Sequence, residues 1–161
     1  RYARFRSIVG TISDVKDCTK PELMFAVSLI SQYMSNPGDE HMLFLENMLL
    51  YLKGVADIPF RFTRQANPDQ DIAVMFSDAS LGNRDARRSQ TCWLAFLYGN
   101  LVGWNSRYQP SVAQSVTESE FMAVSGAAKE AIWIRHLLAD IGLQCGDATH
   151  ILEDNVTDQY K

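Results

Sequence analysis

The chain has 161 residues, 47% of them hydrophobic and 21% charged, with a formal net charge of -4. These values describe one globular domain, or one domain with part of another, and leave enough apolar surface for a core. They exclude a polycation built to coat nucleic acid, and no run reaches the ~18 apolar residues of a membrane span. The first residue is Arg1 and no signal peptide is visible, so the chain reads as a fragment or a processed product. Cys18, Cys92 and Cys145 are odd in number and widely spaced, as are His41, His136 and His150. They match no disulfide framework or zinc pattern, which implies a reducing compartment and no structural metal.

In chain order, 21–34 predicts a helix with Pro21 in its first turn. The NPGD break leads to a second helix over 39–53, capped by Asp39 and stopped by Gly54. Together they predict an antiparallel helical hairpin. From residue 58 the apolar period changes to alternation, and 58–62 (IPFRF) suits an edge strand. The segment 72–78 (IAVMFSD) is apolar on both faces and predicts a central strand. Two more strands follow at 91–99 and 101–106, joined by a turn at Gly99-Asn100. A long helix is predicted over 117–139 and a last strand over 149–154. Arg84, Arg87 and Arg88 form a local basic cluster, which most often marks a solvated loop.

The start of the long helix holds Glu118 and Glu120. Thr117 and Glu120 have capping-box spacing, which needs no chemistry. Helical spacing separates the two glutamates, however, because they point about 200° apart. Glu120 heads the stripe Val124, Ala127, Ala131, Ile134 and Leu138, whereas Glu118 heads Met122, Ser125, Lys129 and His136. A carboxylate on a packing stripe costs free energy unless it is paired or binds a cation. Three consecutive strands favour an antiparallel meander, and a helical crossover returns the last strand parallel to the first. That topology brings Asp78 and Asp154 to one end of adjacent strands, within reach of Glu120. Clustered carboxylates repel unless cations compensate. Mg²⁺ prefers such oxygens, and two ions about 4 Å apart support phosphoryl displacement.

The run from about Ser7 to Lys161 resembles the end of the polymerase of a copia/Ty-type LTR retrotransposon with its C-terminal ribonuclease H domain. The matching phrases include FRSIVGTI (5–12), TKPELMFAVSLISQYMSNP (19–37), LLYLKGV (49–55) and SDASLGNRDARRSQT (77–91). VGWNSRYQP (102–110), SVTESEFMAVSGAAKEAIWIRHLLADIGL (115–143) and ILEDN (151–155) continue them in the family's order. The resemblance implies a mixed α/β, ribonuclease H-like sheet over 69–161, truncated at its C-terminal end. Residues 1–68 would be a connecting helical segment from the end of the reverse transcriptase. It implies catalytic, metal-binding carboxylates at Asp78, Glu120 and Asp154, with Mg²⁺, or Mn²⁺ in its place, as cofactor. Ser80, Asn83, Arg84 and Arg107 are the implied substrate contacts, and Glu118 is left as a helix-start charge.

The activity implied is cleavage of the RNA strand of an RNA/DNA hybrid, recognised by backbone shape and 2′-hydroxyls. The upstream reverse transcriptase domain is the implied partner, in a cytoplasmic retrotransposon particle or the nucleus, with no membrane involved. The family's fourth carboxylate lies beyond its last strand and has no counterpart before Lys161; Asp158 does not occupy its position. Ser80 also replaces the usual tryptophan, and Tyr108 a usual lysine. These departures leave an alternative of the same ancestry, a catalytically inactive remnant or a co-opted nucleic-acid- or protein-binding domain.

Overall fold

The computed structural model describes residues 2–64, 72–82, 87–143 and 148–153. It divides into two compact units, Arg1–Arg61 and Phe62–Lys161.

The first unit is helical. Helix α1 spans Tyr2–Cys18, a 3-10 turn Pro21–Leu23 leads into α2 (Met24–Ser31), and α3 spans Asp39–Gly54. The sequence expectation of a hairpin omits α1, so the unit holds three helices instead of two. Phe5, Val9 and Ile12 recur at helical spacing and meet Leu23, Val27, Ile30, Leu45 and Met48 in one core. The expected helix over 21–34 is shorter than predicted, because it opens as a 3-10 turn at Pro21 and ends at Ser31. Gly38, not Asp39, is the N-cap of α3, and the His41 ring Nδ1 accepts its backbone N–H over 2.9 Å. Lys20 is buried, and its ammonium donates to the carbonyls of Val55 (2.7 Å) and Ile58 (3.0 Å). Those bonds accept the charge-assisted donors that a buried ammonium requires.

No strand forms over 58–62, contrary to the alternation. Pro59 offers no N–H to a ladder, and Ile58 uses its carbonyl on Lys20.

In the second unit, β1 (Ala73–Ser80), β2 (Gln90–Leu97) and β3 (Asn100–Tyr108) form an antiparallel meander. Helix α4 (Val116–Asp140) then leads to β4 (His150–Leu152), which pairs with β1 in parallel. The sheet order is β3-β2-β1-β4, so three strands are antiparallel and one is parallel. The β2–β3 turn is Tyr98-Gly99, one residue earlier than predicted, with φ of 48° and 74°. Two central residues with positive φ suit the twist of a two-residue hairpin. The Asn100 side chain, outside the turn, holds Thr63 through its N–H (2.7 Å) and its carbonyl (2.9 Å).

Helix α4 covers one face of this sheet. Ala127, Ala131, Ile134 and Leu138 pack there on Met75, Trp93 and Ala95. The apolar run of β1 predicts two covered faces, but alternation sends Phe76 to the other side, where it is 43% exposed. Phe76 meets Phe96 edge-on, with ring centres 5.6 Å apart. Among the described residues, no helix is long and apolar enough to cross a membrane.

Candidate active site

The N-terminus of α4 is fixed by a cap. Ser115 is the N-cap, and its Oγ accepts the backbone N–H of Glu118 over 3.1 Å. The Glu118 carboxylate accepts the N–H of Gln114 over 2.6 Å. The cap therefore lies two residues earlier than the Thr117–Glu120 pair predicted from spacing, and Glu118 reaches back one residue past the N-cap. Glu118 is the helix-start charge, well placed for the helix dipole. Glu120 is thereby released from capping and turned inward, where it is 4% exposed. Behind it, Ala123, Ala127, Ala131, Ile134 and Leu138 continue the buried stripe.

A second device holds this end of the helix. Gln109 follows β3 and is 2% exposed. Its side-chain N–H₂ donates to Thr91 Oγ1 (2.9 Å) on β2 and to the Ser119 carbonyl (2.8 Å) on α4. Its backbone N–H donates to the Ser89 carbonyl over 2.8 Å. Ser119 itself is buried and donates its hydroxyl to the Val116 carbonyl over 2.6 Å. The residue immediately before Glu120 is thus pinned to two strands, and that lock orients the glutamate.

Asp78 lies near the end of β1, opposite Cys92 on β2, and is exposed. Its side chain leaves the sheet on the Phe76 face, whereas Glu120 begins the helix stripe on the Met75 face. Burial, and next to it the charge of Asp78, push the Cys92 thiol pKa up. Ser80 ends β1 on the Asp78 side, exposed. Arg107 is exposed on β3, opposite Thr91 and on the α4 side. Asn83, Arg84 and Asp154, also expected at the site, lie outside the described residues.

The donor chemistry suits a hard cation: Asp78 and Glu120 offer carboxylate oxygens, one exposed and one buried. Glu153, just after β4, has both carboxylate oxygens buried without a hydrogen bond among the described residues. Among the described residues, no three His, Cys, Asp or Glu side chains are grouped to hold a metal ion.

No family model matches the chain. It is 33% identical over 140 residues to the Retrovirus-related Pol polyprotein from transposon TNT 1-94 of Nicotiana tabacum, a match covering 86% of the chain and 10% of that protein. It is 34% identical over 157 residues to the Retrovirus-related Pol polyprotein from transposon RE2 of Arabidopsis thaliana, covering 97% of the chain and 10% of that relative. It is 37% identical over 131 residues to the Secreted RxLR effector protein 161 of Plasmopara viticola, covering 81% of the chain and 90% of that protein. The chain is homologous to a segment of the retrovirus-related Pol polyproteins of plant transposons. It spans about a tenth of the length of the Pol polyproteins it matches.

Gln109 and Glu153 escape sequence reasoning. Gln109 is a lone neutral amide with no charge or periodicity to mark it. Glu153 adjoins Asp154 in EDN, and the sequence reading selects Asp154 of the two.

Proposed function

We propose that this segment is a ribonuclease H-type domain that hydrolyses the RNA strand of an RNA/DNA hybrid. The observation that carries the reading is Glu120, a carboxylate buried at the head of the crossover helix. It lies in a unit whose sheet order, β3-β2-β1-β4 with a parallel β4, is compatible with a ribonuclease H-like fold. Asp78 on β1 supplies the second carboxylate, and Asp154 after β4 is proposed as the third.

In this reading Asp78, Glu120 and Asp154 hold Mg²⁺, with Mn²⁺ able to replace it. Such ions, when bound, would supply Lewis-acid activation of water and charge stabilisation at the leaving oxygen. The chain's own residues do the rest. The Ser115 cap and the Gln109 lock orient Glu120, which is already desolvated before substrate arrives. Exposed Asp78 meets the phosphodiester from the open face. Ser80, Asn83, Arg84 and Arg107 are proposed to hold the hybrid through its backbone. The upstream reverse transcriptase is the proposed partner, within a retrotransposon particle or the nucleus. Cleavage of a labelled hybrid, compared with Asp78→Asn and Glu120→Gln, tests the reading.

A second reading keeps the ancestry and drops the chemistry. The relative named as a secreted effector matches over 90% of its own length, so this segment forms most of a protein not named as a polymerase. A catalytically silent binding domain on the same scaffold is the function this observation favours. Folded protein that binds hybrid and leaves it intact is its signature.

A further inference from the structure

The outer face of α4, about half a turn from the stripe that packs on the sheet, carries Ile132, Trp133 and Leu137, which are 55%, 57% and 44% exposed. Single exposed apolar residues are ordinary, but three within two turns form a patch of the kind that binds another surface. Lys129, Trp133, His136 and Asp140 follow one another at steps of four, three and four residues, the spacing of a coiled-coil seam, with Ile132 and Leu137 beside it. We propose that this seam is the contact surface for a second copy of the chain, formed by antiparallel pairing of two α4 helices about a two-fold axis. Such a dimer is compatible with either function above.

Charge complementarity selects this occupant. Lys129 and Asp140 stand at opposite ends of the seam, both are exposed, and neither makes a hydrogen bond or an ion pair among the described residues. Reversing one helix on the other sets Lys129 opposite the partner's Asp140 and, by the same symmetry, Asp140 opposite the partner's Lys129. That register also sets Trp133 against the partner's His136, so four rings meet at the centre, with Ile132 and Leu137 at the sides. A parallel pairing would instead put lysine on lysine and aspartate on aspartate, which repel.

Two further observations support the pairing. Asp140 ends α4, where the helix dipole disfavours a carboxylate and no basic residue of the last turn offsets it, so a cation from a partner is most favourable there. Ala127, Ala131, Ile134 and Leu138 hold the opposite face on the sheet, so the seam is displayed on a fixed helix and pairing needs little ordering. A chain of net charge -4 repels its own copies, and the two ion pairs offset that repulsion locally.

The test is sedimentation equilibrium of the full chain over a range of concentrations at low salt, with circular dichroism to confirm that each variant is folded. Wild type should pass from monomer to dimer as concentration rises. Trp133→Ala should raise the dissociation constant by about tenfold or more, as loss of a central tryptophan anchor does. Lys129→Glu and Asp140→Lys should each weaken the dimer, because each sets like charges opposite one another at both ends of the seam. Mixed in equal amounts, these two variants should associate again, since their charges are complementary across the pair. Lys53→Glu, the same charge change on α3, should leave dimerisation intact. A monomer at every concentration would overturn the proposal, as would a dimer indifferent to Trp133→Ala or to the two charge reversals.

Discussion

Gln109 donates its side-chain N–H₂ to the backbone carbonyl of Ser119 over 2.8 Å, joining the end of β3 to the residue before Glu120. The same amide reaches Thr91 over 2.9 Å, so one buried side chain ties both strands to the helix. Gln109→Ala should destabilise the chain by about 1–3 kcal/mol, the usual cost of breaking a buried polar network. It should also lower hybrid cleavage more than Thr117→Ala does. Urea unfolding and cleavage rates on the same preparations check both.

The cap gives a second test. Ser115 and Thr117 each stand three residues before a glutamate, but it is Ser115 whose hydroxyl accepts the N–H of its partner, Glu118. Ser115→Ala should cost about 1 kcal/mol, within the range for a lost N-cap. Thr117→Ala, at an exposed position, should stay within about 0.5 kcal/mol. A larger cost for Thr117→Ala than for Ser115→Ala in chemical denaturation would place the cap where sequence spacing puts it.

Packing along α4 leads to a third. Ala127 is fully buried against the sheet, and Ala139 on the same helix is exposed. Ala127→Leu should destabilise by about 1–3 kcal/mol through overpacking, and Ala139→Leu by far less. Thermal unfolding of the two variants measures the difference.

Cys92 reports on Asp78. Burial first, and the Asp78 charge second, raise its thiol pKa, so less thiolate is present at any given pH. Cys92 should alkylate more slowly than exposed Cys18 at pH 8, and Asp78→Asn should speed it by removing the charge. Peptide mapping after timed iodoacetamide treatment gives both rates. No acceleration in Asp78→Asn would separate the two side chains.

The legible parts of this fold are those with a strong period. The alanine-rich stripe of α4 announces its buried face, and Glu120 stands out because a carboxylate heads it. Helix α1 is less legible because Gly10, Thr11 and Ser13 dilute its Phe5, Val9 and Ile12 stripe. The edge strand expected at 58–62 fails because alternation alone supplies no pairing partner. The Tyr98-Gly99 turn is displaced from Gly99-Asn100 because a tyrosine takes the positive φ that a sequence reader assigns to asparagine. Gln109 depends on partners at Thr91 and Ser119, and hydrogen bonds across sequence leave no local signature. The inward turn of Glu120 was readable from its place at the head of the α4 stripe, whereas the face on which Asp78 leaves β1 follows from strand alternation; Asp154 lies outside the described residues.

The most direct measurement is cleavage of a labelled RNA/DNA hybrid by the purified chain in Mg²⁺ and in Mn²⁺, beside Asp78→Asn and Glu120→Gln. Cleavage confined to the RNA strand, lost in both variants and on chelation, is the predicted result. Intact hybrid after incubation with folded wild-type protein, or cleavage unaffected by either substitution, would contradict it.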